Sequence, residues 1–163
     1  MGGKRDKEVS SRYTPKPFSK VPEPADHGKK FILDSSAILR FLDREAGYDR
    51  VEDILLARAH GFAEVIVISV HWGEVALRLF RRSGKSVQQS AMAEFLLMGI
   101  ELVPATAERA VRAALIRARL EIPYVDAFGV ELAGESAAHV FVTADFDLKP
   151  AAHEVKIEFL PAK

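Results

Sequence analysis

The chain contains no cysteine. Disulfides and thiolate metal sites are excluded, so any metal ion must be held by oxygen or imidazole, and the composition suits a reducing compartment. No apolar run approaches the roughly 20 residues that a membrane span needs, and the first residues lack the apolar core of a signal peptide. A cytoplasmic protein without membrane association is expected. Net charge is also missing, with 23 Lys+Arg against 23 Asp+Glu. The balance is uneven: residues 1–30 carry 8 basic against 4 acidic residues, and residues 31–163 carry 15 against 19. A mildly acidic domain does not bind nucleic acid by bulk charge, so such a function would rest on local sites or on metal ions. There is no glycine-rich phosphate loop. The five histidines, His27, His60, His71, His139 and His153, show neither ligand spacing nor an evident acid partner, which argues against metal-independent histidine chemistry.

What is present is an ordinary globular composition, 48% hydrophobic and 28% charged over 163 residues, enough for a core without staples. Residues 1–29 hold scattered prolines and few aliphatics, and predict a flexible basic extension ahead of one domain over 30–163. From Lys30 the pattern alternates. The runs "KFILD", "VIVIS", "IELVP", "HVFVTAD" and "VKIEFL" read as five strands. Between them lie helical stretches from about Ser36 to Asp43, in "DRVEDILLARAHG", in two segments stopped by Gly84 and Gly99, from the N-cap Thr106 through Leu120, and from Pro123 onward. Alternation of this kind predicts an α/β sandwich around a parallel sheet.

Sites in open α/β sheets form at the carboxyl ends of strands. Asp34 ends the first strand and Asp145 ends the fourth, in "FVTADFD". Either acid can be explained locally, Asp34 as a helix N-cap and Asp145 by an Asx turn. Asp126 is harder to explain. At 100° per residue it shares a helix side with Val125, Gly129, Leu132 and Ala133, while Glu131 and Glu135 lie opposite. A carboxylate on an apolar side is costly unless it is paired or holds a cation. For Glu74 the wheel favours an exposed pair with Arg78, although its place just after the second strand leaves a cleft position open. Acids gathered at one sheet edge need compensating positive charge, and Mg²⁺ or Mn²⁺ suits an open carboxylate cluster.

The segments "FILDSSAIL", "VISVHWGEVALRL", "IPYVDAFGVELA" and "VFVTADFD", in that order, resemble the PIN-domain ribonucleases, and in particular the VapC-type toxins of toxin–antitoxin pairs. The resemblance implies a three-layer PIN-like sandwich with a five-stranded parallel sheet in the order 3-2-1-4-5. It also implies an acidic set of Asp34, Glu74, Asp126 and Asp145 holding Mg²⁺ or Mn²⁺, with Ser35 and Thr143 orienting the acids. Asp147 competes with Asp145 for the fourth position, and Asp145 is preferred because it follows "VFVTA" directly. The implied activity is hydrolysis of RNA phosphodiesters to 5′-phosphate and 3′-hydroxyl ends, with a VapB-like antitoxin as partner and a homodimer as assembly. Arg78, Arg81, Arg82 and Lys85 are candidate RNA contacts, though a solvated helix face is the simpler explanation of them. Arg109, Arg112, Arg117 and Arg119 read as the same kind of face. A housekeeping RNA-processing nuclease or a catalytically silent PIN-like scaffold is the alternative function. A phosphoryl-accepting receiver would need an acid where "ELVPAT" stands, and a haloacid-dehalogenase-like phosphatase an Asp where Ser36 stands.

Overall fold

Residues 24–162 are described by a computed structural model. Five parallel strands form one sheet: β1 (Lys30–Leu33), β2 (Glu64–Ile68), β3 (Glu101–Val103), β4 (His139–Thr143) and β5 (Ile157–Phe159). Their order is β3-β2-β1-β4-β5, so the first and fourth strands are hydrogen-bonded neighbours, as expected. The register sets Leu33 beside Val142, and the Asp34 backbone N–H donates to Val142 O at 3.2 Å. Both strands therefore end at the same level.

The strands are apolar on both sides because both are covered. Phe31, Leu33, Val65, Val67, Val140 and Val142 join one core, packed with α1 (Ser35–Asp43), α2 (Tyr48–Ala59) and α3 (Ser69–Leu97). Ile32, Ile66, Ile68 and Phe141 join the other, under α4 (Ala107–Leu120) and α5 (Tyr124–Ala133). This period-2 division gives the three-layer sandwich. Gly84 interrupts α3 with φ 80° and ψ 175°, a conformation that glycine adopts readily, and so separates the two expected helical segments. Thr106 caps α4 by accepting from Arg109 N.

Ahead of β1, Pro24–Asp26 form a 3₁₀ turn, and Asp26 is buried. Its carboxylate accepts from Arg50 Nη1 at 2.7 Å and from Lys29 Nζ at 3.2 Å, while Arg50 also donates to Glu158. A part-buried guanidinium requires carboxylate partners, and one of them comes from ahead of β1. The rest of the expected extension, residues 1–23, lies outside the described residues. One expectation, on α5, needs correction. Glu131, assigned by the wheel to the outer side, is buried and accepts from Arg109 Nη1 at 2.5 Å and Arg112 Nε at 2.6 Å. α4 covers that side, so Arg109 and Arg112 belong to an inter-helix ion-pair network instead of an open solvated face.

Candidate metal centre

The end of β1 builds the site. Asp34 is buried and caps α1, with Oδ1 accepting from Ala37 N at 2.7 Å. Ser36 Oγ reaches both carboxylate oxygens, at 2.7 and 2.9 Å. Thr143 Oγ1, at the end of β4, donates to Oδ2 at 2.6 Å. The same Thr143 oxygen accepts from Asp145 N at 2.9 Å, and Ser36 Oγ accepts from Ala144 N at 2.8 Å. The two strand ends are thus tied by side chains as well as by the ladder. Desolvation raises the pKa of Asp34; His71 and the hydrogen bonds from Thr143, Ala37 and Ser36 counteract part of the effect.

Each remaining acid is delivered by a different element. Asp126 lies in the first turn of α5, half-buried. Its carboxyl is pushed up to about 6 by burial and by the charges of Asp34, Asp145 and Glu74, against a lowering by His71. Those three neighbours bring the expected quartet within electrostatic range of a single group. Glu74, in α3, remains 44% exposed in its side chain, yet it accepts from Ser35 Oγ at 2.7 Å. His71 first, then Ser35 and Arg78, hold it below the usual carboxylate range, over an opposing effect of burial. Asp145 caps the 3₁₀ turn Phe146–Ala151 by accepting from Asp147 N at 2.9 Å. Asp147 is exposed and lines a separate groove of about 660 Å³ with Arg117, Glu121 and Pro123.

Arg78 and Arg81 line a groove of about 490 Å³ that also contains Ser35, Leu39, Glu74 and Leu77. Arg82 points elsewhere and pairs with Asp43, and Lys85 is exposed just beyond the Gly84 break. Trp72 stacks on Phe95 against the core.

The arrangement suits a hard cation in chemistry. Carboxylates that raise one another's pKa gain from a positive ion. A fully buried imidazole, His71, lies beside them, with Nδ1 at 3.6 Å from Glu74 Oε2 and no hydrogen-bond partner for either ring nitrogen. Among the described residues, however, no three carboxylate or imidazole groups are arranged as they stand to hold one ion. Asp34 is engaged by two hydroxyls and a backbone N–H, and Glu74 by Ser35, so binding requires side-chain adjustment. Two contributors were not anticipated. Ser36, rather than Ser35, fixes Asp34, and its Asp-x-Ser spacing was visible. His71 lies three residues before Glu74, a same-face helical spacing that is common enough to carry little signal alone.

The PIN domain model matches residues 31–154, and the chain belongs to the PIN domain family. Among solved structures it is similar to VapBC2 from Rickettsia felis bound to a DNA fragment from their promoter, with 16% identity and a TM-score of 0.62 over 81% of this chain and 99% of that one. DNA-bound VapBC from Salmonella typhimurium gives 19% identity and 0.61, over 80% and 98%. Mycobacterium tuberculosis VapC20, a Sarcin-Ricin loop cleaving toxin, gives 18% and 0.59, over 80% and 99%. At such identities the likeness concerns the fold. No curated protein matches significantly. Among the described residues no helix is long and apolar enough to cross a membrane.

Proposed function

We propose that the chain is a metal-dependent endoribonuclease, the toxin of a toxin–antitoxin pair. The observation that carries this reading is the convergence at the β1 and β4 ends of Asp34, tied to Thr143 and Ser36, and of Glu74, held by the adjacent Ser35, with the half-buried Asp126 close enough for their charges to raise its carboxyl. A stable fold has no use for such crowding unless a cation relieves it. Asp34, Glu74, Asp126 and Asp145 would hold the ion, with Asp145 preferred over the exposed Asp147. A bound Mg²⁺ or Mn²⁺ supplies neutralisation of the phosphodiester's charge and activation of the attacking water.

The protein's own groups prepare the site. Ser36 and Thr143 lock the Asp34 carboxylate in one orientation, and Ser35 turns Glu74 toward the β1 end. These hydrogen bonds gather the acids at the strand ends, and a short side-chain adjustment would turn them to an ion. Arg78 and Arg81, which line one groove with Ser35 and Glu74, would contact phosphates flanking the cleaved bond. Arg82, committed to Asp43, is the weakest of the basic candidates, and Lys85 is a peripheral contact. A VapB-like antitoxin covering the acids, a homodimeric assembly and a cytoplasmic location complete the reading. It is supported by family membership and by the fold shared with VapBC assemblies.

Expression of this chain alone should slow bacterial growth, and Asp34→Asn should relieve it. Equal growth of the two strains at matched protein levels would count against a toxin. Fragments of single-stranded RNA cut by the purified chain should carry 5′-phosphate and 3′-hydroxyl ends; 2′,3′-cyclic phosphate ends would exclude the hydrolytic mechanism.

A further inference from the structure

Phe146 follows Asp145 and precedes Asp147, in the first position of the 3₁₀ turn after β4, and is 38% exposed. A single exposed apolar residue means little by itself. This one, however, is held in place: its ring stacks on that of Phe159, with centroids 5.3 Å apart and planes 14° from parallel. Phe159 is partly buried, lies beside Thr143 in the β4–β5 register and packs against the core under α4 and α5. An offset stack of this kind fixes the plane of the outer ring. Lys149, itself exposed, sets its Nζ 5.4 Å from the Phe146 centroid.

The chain ties this ring to the acids. Asp145 N donates to Thr143 Oγ1 at 2.9 Å, and that oxygen donates to Asp34 Oδ2 at 2.6 Å. The Phe146 Cα therefore stands about 3.8 Å from the Cα of a residue whose backbone is linked to Asp34 through one hydroxyl. Carboxylates flank Phe146 on both sides in sequence, which disfavours a phosphate over the ring but not a flat uncharged group. An unpaired nucleobase is such a group, since every base offers a π-face to an aromatic side chain. The Lys149 ammonium, on a flexible stem, can leave the ring for the phosphate of the same nucleotide.

We propose that Phe146 is the platform on which one unpaired base beside the cleaved bond stacks, with Lys149 moving to that nucleotide's phosphate. The contact serves substrate binding and the choice of base, purines being favoured by their larger area, and takes no part in breaking the bond. The proposal rests on the ribonuclease reading above, and its test separates the two. Single-stranded RNAs carrying the fluorescent base 2-aminopurine at each position in turn are titrated into the full chain, with Asp34→Asn present so that no strand is cut. Cleavage of the same RNAs with Mn²⁺ is then measured for the native chain, Phe146→Leu and Phe146→Trp. Expected are quenching at one position or two adjacent ones, its loss in Phe146→Leu, a KM raised about fivefold or more with kcat changed less than about threefold, and recovery in Phe146→Trp. Should Phe146→Leu not fold, the added indole of Phe146→Trp must be quenched by RNA, while the native chain, whose sole tryptophan Trp72 packs on Phe95, is not. RNA bound and cut with no position quenched, or an unchanged KM in folded Phe146→Leu, overturns the platform and leaves the nuclease reading standing. Loss of self-association in Phe146→Leu at unchanged KM does the same, by assigning the ring to an interface between copies. Stacked RNA that the native chain never cuts keeps the platform and overturns the nuclease reading. Failure of both chains to bind RNA overturns both.

Discussion

Asp34 and Asp126 are both acids at helix starts, but their surroundings set opposite expectations for replacement. Asp34 is satisfied by Ala37 N, Ser36 and Thr143, so an amide in its place keeps one acceptor for the cap and sets an N–H₂ against hydroxyls that were donating. Asp126 is raised by burial and by like charge. The folded carboxyl titrates at about 6 and the unfolded one near 3.8, so between those values the native state binds more protons. Stability of the metal-free protein should therefore fall as pH rises from about 4 to about 6 and stay low above it. Asp34, which burial also raises, acts in the same direction, so Asp126→Asn should remove its own share of that fall and raise stability at pH 7 by ~1–2 kcal/mol, a value reduced for the site's partial exposure. Asp34→Asn should give no gain. Urea unfolding at several pH values measures both, and a loss of stability in Asp126→Asn would make that acid an ordinary helix-dipole residue. In the sequence, Asp126 was legible because a wheel registers an acid on the wrong side. Glu74 was not, because it is exposed and still faces the cleft, two properties that a wheel treats as exclusive. His71 carried no mark, since nothing local distinguishes a buried imidazole from a surface one.

At the scale of elements, α5 must lie close to β4 for Asp126 to approach the strand ends. Gly129, one turn after Asp126 on the same side, allows this: a Cβ there would fall well inside van der Waals contact with the ring of Phe141. That ring is fully buried and cannot swing away. Gly129→Ala should therefore cost about 1–2 kcal/mol, overpacking outweighing the better helix propensity of alanine. It should also weaken metal binding by displacing Asp126. A variant of unchanged or higher stability would show that the ring yields. Strands and helices were readable from β-branched runs and from caps such as Thr106 and Gly84. The strand order was not readable from pattern and came with the family resemblance. The burial of Glu131 depends on α4 lying across α5, a tertiary fact with no local signature.

At the scale of the whole molecule, the fold extends beyond the β-α units to the segment ahead of β1. Asp26 holds Arg50, which also holds Glu158 on β5, so this segment is linked to the far edge of the sheet through α2. A chain starting at Lys30 should be less stable than one starting at Pro24 by ~1–3 kcal/mol, the cost of leaving a part-buried guanidinium half-paired. Equal melting temperatures would make that turn dispensable. This anchor had no mark in the sequence, because a polar, proline-bearing stretch gives no hint that one acid in it has a buried partner. The sheet, its two covering layers and the Asp26 anchor together hold four acids from different elements near one edge, and the central claim is that they hold a catalytic cation. Its most direct measurement is the rate of single-stranded RNA cleavage by the full chain against Mn²⁺ concentration after chelation, for wild type and for Asp126→Asn shown to be folded. The expected result is no cleavage in chelator, saturable recovery with Mn²⁺ in the wild type, and a loss of more than about 100-fold in the variant. Undiminished cleavage in excess chelator, or full Mn²⁺-dependent activity in Asp126→Asn, would contradict it.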